Sequence, residues 1–199
     1  MSVLIGSARS SSYNVAKQVS LQEYYTHGQG YWLGFAPKTN ALDLACAMGE
    51  MCANDNIKYS QSKRETAWQL WSVFGKQISN IRKLCYTDCS AGVRLCIRQA
   101  FNVELPNFNT ASEPSVLKKS GLFKDPIKVT KASQCTTGMV LVSPNKGHTA
   151  IVVSTDQKPK QNTNNLDITQ VAKDVIKGKY GNGSERKKRI ESLGLDYQE

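Results

Sequence analysis

The sequence predicts an α+β fold, and three observations carry the prediction. Helical periodicity is concentrated between residues 40 and 101, β-rich apolar runs occupy residues 138–154, and the two signals do not alternate. Helices first and strands afterwards exclude the repeating strand–helix order of a parallel α/β sheet. A chain of 199 residues has room for one domain with its own core and one small module.

Residues 1–35 are polar and aromatic without clear periodicity, which predicts a lead-in of turns with one short strand. Asn40 is placed to cap a helix with Asp43 in its first turn, and Leu44, Met48, Met51 and Cys52 then share one face. Ser62 and Glu65 have the spacing of a capping box ahead of Ala67, Leu70, Trp71 and Phe74, so a second helix is expected there. The segment 54–61 is expected to be the loop between them. A third helix begins at Cys89, because Val93, Cys96, Ile97 and Ala100 repeat at i, i+3, i+4, i+7 while Arg94 and Arg98 fall elsewhere; it is expected to be central and buried. After an irregular stretch holding Pro106, Pro114 and Pro126, the runs 138–143 and 148–154 flank the turn Pro144-Asn145-Lys146-Gly147 and predict an antiparallel hairpin. This defines a first domain over residues 1–156.

Residues 157–166 are polar enough to be a linker. Residues 167–199 begin a new unit. Asp167 with Gln170 caps a helix bearing Val171, Val175 and Ile176, Gly181-Asn182-Gly183 turns the chain, and Ser184 caps a second helix with Ile190 and Leu193. Two short helices bury too little to stand alone, so this unit is expected to be mobile or to take cover from the first domain or by self-association with a second copy.

The net charge of +10 raises three anionic partners: nucleic acid, an anionic membrane and an acidic wall polymer. The charge is spread along the chain, and its one compact run, Arg186-Lys187-Lys188-Arg189, has no interleaved aromatics, so no nucleic acid is expected as the main partner. No window approaches 18 apolar residues, and the N-terminal run Val3-Leu4-Ile5 is too short for the core of a signal peptide. No membrane insertion and no signal peptide are expected. The six cysteines are expected to be reduced thiols, since a chain of this size without a secretion signal does not need disulfides. Cys85 and Cys89 lack a second ligand pair, and His27 and His148 are the only histidines, so no metal and no cofactor are expected.

The chemistry is expected at Cys89. A thiol opening a helix faces the positive end of the helix dipole, which favours the attacking thiolate; Cys46, Cys52 and Cys96 have the spacing of buried structural thiols instead. A nucleophilic cysteine needs a base, and His148 opens a strand just after a Gly-containing turn, where its ring can reach a helix terminus packed across the sheet. Asp88 and Ser90 flank the thiol and are expected to contact substrate. For the group that orients the histidine, Asp156 is one candidate. It lies eight residues beyond His148, roughly 26 Å along a straight strand, and reaches back only if the chain turns. A group on an adjacent strand or a backbone carbonyl are the alternatives. His27, among Tyr24, Tyr25, Tyr31 and Trp32, belongs either to a carbohydrate-facing surface or to local packing.

Over residues 55–155, Asp88-Cys89-Ser90 opening a helix and Gly147-His148-Thr149-Ala150 opening a strand resemble the NlpC-type cysteine peptidase family. One departure is Gly138-Met139, where that family has Gly-Asp before the first strand. The resemblance implies a papain-like domain with helices packed on an antiparallel sheet, and Tyr59 beside the nucleophile in contact with substrate. Residues 166–197, with Val175-Ile176-Lys177-Gly178-Lys179-Tyr180-Gly181-Asn182-Gly183 followed by Arg186-Lys187-Lys188-Arg189 and Gly194-Leu195-Asp196-Tyr197, resemble the CW-seven cell-wall-binding repeat of phage lysins. In that family a third helix follows the Asp-Tyr pair, whereas this chain stops two residues later. Together the resemblances imply a phage endolysin whose partner is bacterial peptidoglycan, held in the host cytoplasm until lysis. The expected activity is that of a peptide-stem endopeptidase. The alternatives are an N-acetylmuramoyl-L-alanine amidase using the same Cys-His pair, and a non-catalytic wall-binding protein.

Overall fold

The structure, a computed structural model, describes residues 2–10 and 18–155. The chain divides into two units, Met1–Lys158 and Pro159–Glu199, and the fold is that of the first. Asp156, the linker and the C-terminal repeat lie outside the described residues.

The α+β expectation holds. A six-stranded sheet is built from β1 (Val3–Ala8), β2 (Val19–Glu23), β3 (Trp32–Phe35), β6 (Ile127–Val129), β7 (Val140–Val142) and β8 (Thr149–Thr155), in the order β2-β1-β8-β7-β3-β6. Every neighbouring pair is antiparallel. The β7–β8 hairpin is the one expected from the apolar runs, with Val140 opposite Ile151 and Val142 opposite Thr149. Period-two alternation sorts its side chains: Val140, Val142 and Ile151 enter the core beneath the helices, while Leu141, Ala150 and Val152 join Val3, Ile5, Trp32 and Met139 on the other face.

Among the described residues, the first 35 positions hold three strands rather than one. β1 is an interior strand buried on both faces, so the alternation that marks a half-exposed strand is missing from its sequence. Gly6 within it reads as punctuation, yet its role is close approach: a Cβ there would lie 2.4 Å from Met48 Cγ on α1 (Ala41–Ala53).

α1 buries Leu44, Met48, Met51 and Cys52 as its spacing predicts. Cys46 is exposed, a correction, because a residue two positions from Leu44 points away from the face that Leu44 and Met48 share. Asn40 makes no side-chain cap; its Nδ2 donates to the Ala100 carbonyl at 2.8 Å. The second helix, α2 (Thr66–Val73), starts after the expected box, because the Glu65 carboxylate is engaged by Arg94 at 3.0 Å instead of turning back to cap. The expected loop 54–61 contains β4 (Ile57–Tyr59), which pairs in parallel with β5 (Cys85–Thr87). β5 leads through Asp88 directly into α3 (Cys89–Phe101), whose buried face carries Val93, Cys96 and Ile97 as expected. A short helix, α4 (Glu113–Lys119), follows. Among the described residues, no helix is long and apolar enough to cross a membrane.

Candidate active site

The start of α3 is fixed by its own side chains. Asp88 caps the helix, its Oδ1 accepting from the Ala91 N–H at 2.7 Å and from the Ser90 hydroxyl at 3.0 Å. Its other oxygen, Oδ2, lies 3.2 Å from Nε of Arg64, whose Nη2 donates to Ser90 Oγ at 3.1 Å and also to the Phe108 carbonyl. Asp88 and Ser90 are both buried, and these contacts occupy them in holding the turn that presents Cys89.

The Cys89 sulfur faces the backbone N–H groups of Thr149 and Ser90. Those donors favour the thiolate, but burial opposes it more strongly, and the Asp88 and Glu113 carboxyl groups add to the opposition. The thiol is pushed up to about 12. The expectation that the helix terminus would lower it is corrected: loss of water outweighs the helix dipole, whose effect is worth about 0.3–1 kcal/mol at exposed sites.

His148 comes from the β7–β8 turn. The Ser143 hydroxyl accepts from the N–H groups of Gly147 at 3.0 Å and His148 at 2.9 Å, and the Ser143 N–H donates to the His148 carbonyl at 2.9 Å. Lys146 takes a left-handed conformation at φ 56°, and Thr110 Oγ1 donates to its carbonyl. These bonds set where the histidine backbone lies. Its ring packs against Trp32, with centroids 6.2 Å apart, and its Nε2 is buried without a partner. Burial, followed by the positive charge of Arg9 and the nearness of His27, pushes the imidazole down to about 3. At neutral pH the site therefore holds a neutral thiol and a neutral imidazole.

Cys89 and His148 line one cleft of about 940 Å³, together with Tyr59, Asp88 and Ser90. Tyr59 sits opposite Thr87 in the β4–β5 pair, one strand away from the segment that delivers the thiol. All the predicted site residues except Asp156 thus meet in one cleft. Among the described residues, no group of three or more His, Cys, Asp or Glu side chains could hold a metal ion.

Several cleft or near-cleft residues escaped the sequence reading. Arg64 looks like any surface arginine ahead of a helix, and nothing local marks its reach to Asp88. Glu113 is fully buried, its Oε1 accepting from the Thr149 hydroxyl at 2.9 Å and its Oε2 unpartnered. Burial lifts this carboxyl well above its usual range, so it is an acid pinned against the strand start beside His148. Ser112-Glu113-Pro114 does read as a helix start, but its burial is a long-range property. Of the two readings of His27, local packing holds, since the ring lies edge-on to Trp32 at 5.1 Å, and the residue also lines the cleft. Arg9 lines it as well.

The family model of the endolysin-like domain matches residues 11–159, most of the chain and nearly all of the fold just described. The chain belongs to the endolysin-like domain family. A CW_7 repeat matches residues 169–199 of the same chain. No curated protein and no solved structure matches it. An endolysin-like domain followed by a CW_7 repeat marks a cell-wall hydrolase with a wall-binding repeat.

Proposed function

We propose that this endolysin-like domain hydrolyses an amide bond of peptidoglycan with Cys89 as nucleophile and His148 as general base, as an NlpC-type peptide-stem endopeptidase of phage origin. The observation that carries the reading is a thiol at a helix start and an imidazole with an unpartnered buried nitrogen, both lining one cleft.

The Cys89 sulfur attacks the scissile carbonyl carbon as its proton passes to His148 Nε2. The carbonyl oxygen takes up the displaced electron pair, and the Cys89 backbone N–H at the start of α3 is the donor expected to stabilise it. The intermediate collapses by breaking the C–N bond, and the imidazolium returns its proton to the leaving amine. Water then attacks the thioester, giving a proton to His148, and the released thiolate takes it back. The imidazole must be neutral to begin this cycle, and its low basicity keeps it so. Asp88, through Arg64 and Ser90, positions the helix start, and Tyr59 faces substrate from the cleft wall. Asp156, outside the described residues, is retained as a candidate to orient His148 by way of a chain turn.

In this reading residues 1–156 are the catalytic domain, 157–166 the linker, and 167–199 a wall-binding repeat that holds the enzyme on its polymer and self-associates. The protein waits in the host cytoplasm and acts at the wall on lysis. Cys89→Ser is expected to lower the rate of wall lysis at least about a hundredfold, because a serine without an adapted base is a much poorer nucleophile. Lysis retained by that variant with its fold intact overturns the mechanism. Mass spectrometry of the released muropeptides separates a cut within the peptide stem from a cut at the muramoyl amide.

A further inference from the structure

The cleft extends well beyond the thiol and the imidazole, along the end of β1 and the segment that follows β2. Two guanidinium groups line it, and they differ in one respect. Arg64 is neutralised by Asp88 and Glu65. Arg9 belongs to none of the ion pairs among the described residues.

Arg9 is nevertheless held in place. Its Nε donates to Ser7 Oγ at 3.2 Å, one Nη donates to the Tyr25 hydroxyl at 2.7 Å, and the guanidinium carbon lies 5.0 Å from the Tyr25 ring centroid. Among the described residues these bonds use two of its five side-chain N–H donors, which leaves a held, charged fork with unused donors in the wall of the cleft. His27 lines the same region with a buried Nδ1 that has no partner. Cationic and neutral donor groups that are oriented but unfilled fit a planar anion, and the guanidinium fork matches a carboxylate in particular. Arg9 and His27 are also near enough to His148 to influence its charge, so an anion held there lies next to the reacting bond.

We propose that Arg9, oriented by Tyr25 and Ser7 and assisted by His27, is a subsite for a free carboxylate carried by the substrate peptide close to the amide that is cleaved. This inference rests on the amide-hydrolase reading and adds the chemical class of substrate: an acidic peptide, not its amidated counterpart. Binding also has a consequence for the base. Burial first, and then the positive charge of Arg9, keeps the imidazole neutral, and a bound carboxylate offsets the Arg9 part as His148 takes the proton. The anion therefore acts on turnover as well as on affinity.

The test uses the full chain and two probes, N-acetylmuramoyl-L-Ala-γ-D-Glu-L-Lys and the same molecule with the D-Glu α-carboxylate converted to a carboxamide. Wild type is expected to prefer the acid in kcat/KM by about ten- to hundredfold, the scale of a charge-assisted hydrogen-bond pair. Arg9→Gln, which retains a donor for Tyr25, is expected to bring that ratio close to one, and Arg9→Lys to keep part of it. Calorimetric binding of both probes to Cys89→Ala measures the subsite without turnover. If that variant binds the acid more tightly and Arg9→Gln abolishes the difference while wild type cleaves neither probe, the subsite stands and the hydrolase reading fails. Equal handling of acid and amide by wild type overturns the subsite, and so does an Arg9→Gln variant that keeps the wild-type ratio while losing rate on both probes.

Discussion

Alkylation of Cys89 offers a direct test of the electrostatics. Burial and the neighbouring carboxyl groups push its thiol up to about 12, against an ordinary value of 9.0. Three pH units reduce the thiolate population at neutral pH by about a thousandfold. A more basic thiolate is also more nucleophilic, and with a Brønsted slope of about 0.4–0.5 that returns roughly fifteen- to thirtyfold. The net expectation is that iodoacetamide modifies Cys89 about thirty- to sixtyfold more slowly than free cysteine at pH 7. The assay is peptide-resolved mass spectrometry after timed quenching between pH 5 and 11, with the exposed Cys46 of the same molecule reporting reagent access. The Cys89 rate should still be climbing at pH 10. A rate that levels off below pH 8 would mean that a thiolate–imidazolium pair already exists in the resting protein, and would refute the argument that desolvation prevails over the helix terminus.

In the proposed mechanism His148 sets the acid limb of catalysis. Because its neutral form persists down to about 3, turnover of a soluble muropeptide is expected to remain nearly level from pH 8 to pH 4.5, and an acid limb centred near 6.5 would contradict the burial of the ring. Glu113 sets a stability dependence of the opposite sense. Its folded-state value is raised above the ordinary 4.5, so the stability it contributes is complete below that value and declines as pH rises towards the folded one. Glu113→Gln keeps an acceptor for Thr149 without an ionisable proton, so its Tm relative to wild type should increase between pH 5 and pH 8, and a difference independent of pH would overturn the assignment.

What was legible in the sequence was local. The α3 pattern from Cys89 to Ala100 and the β7–β8 hairpin each bury one face against the core, and one-sided burial leaves a period that can be read. Cys89 and His148 stood out in the sequence because each opens one of those elements. β1 lacked such a period because it is buried on both faces, and β4 is only three residues long, so nothing distinguishes it from the loop it interrupts. Arg9, Arg64 and Glu113 were missed for another reason. Each owes its meaning to a partner distant in sequence, as with Arg64 and Ser90, which are 26 residues apart, or Glu113 and Thr149, which are 36 apart. Spacing rules carry no information at that range.

Two carboxyl groups lie near the thiol proposed as the nucleophile. Asp88 is paired with Arg64 at 3.2 Å, and burial raises the Glu113 carboxyl well above its ordinary range, which favours its neutral form. Desolvation is the chief reason the Cys89 thiolate is suppressed, and the two carboxyl groups add to it. Desolvation is also the chief reason the imidazolium of His148 is suppressed. A preformed ion pair is thus disfavoured from both sides by the same loss of water. Charge separation becomes affordable only when the sulfur's developing charge is drawn into a C–S bond and the oxyanion meets a backbone donor. In the proposed mechanism the proton leaves the thiol as that bond forms, and His148 acts as a general base during attack and not as the counter-ion of a stored thiolate.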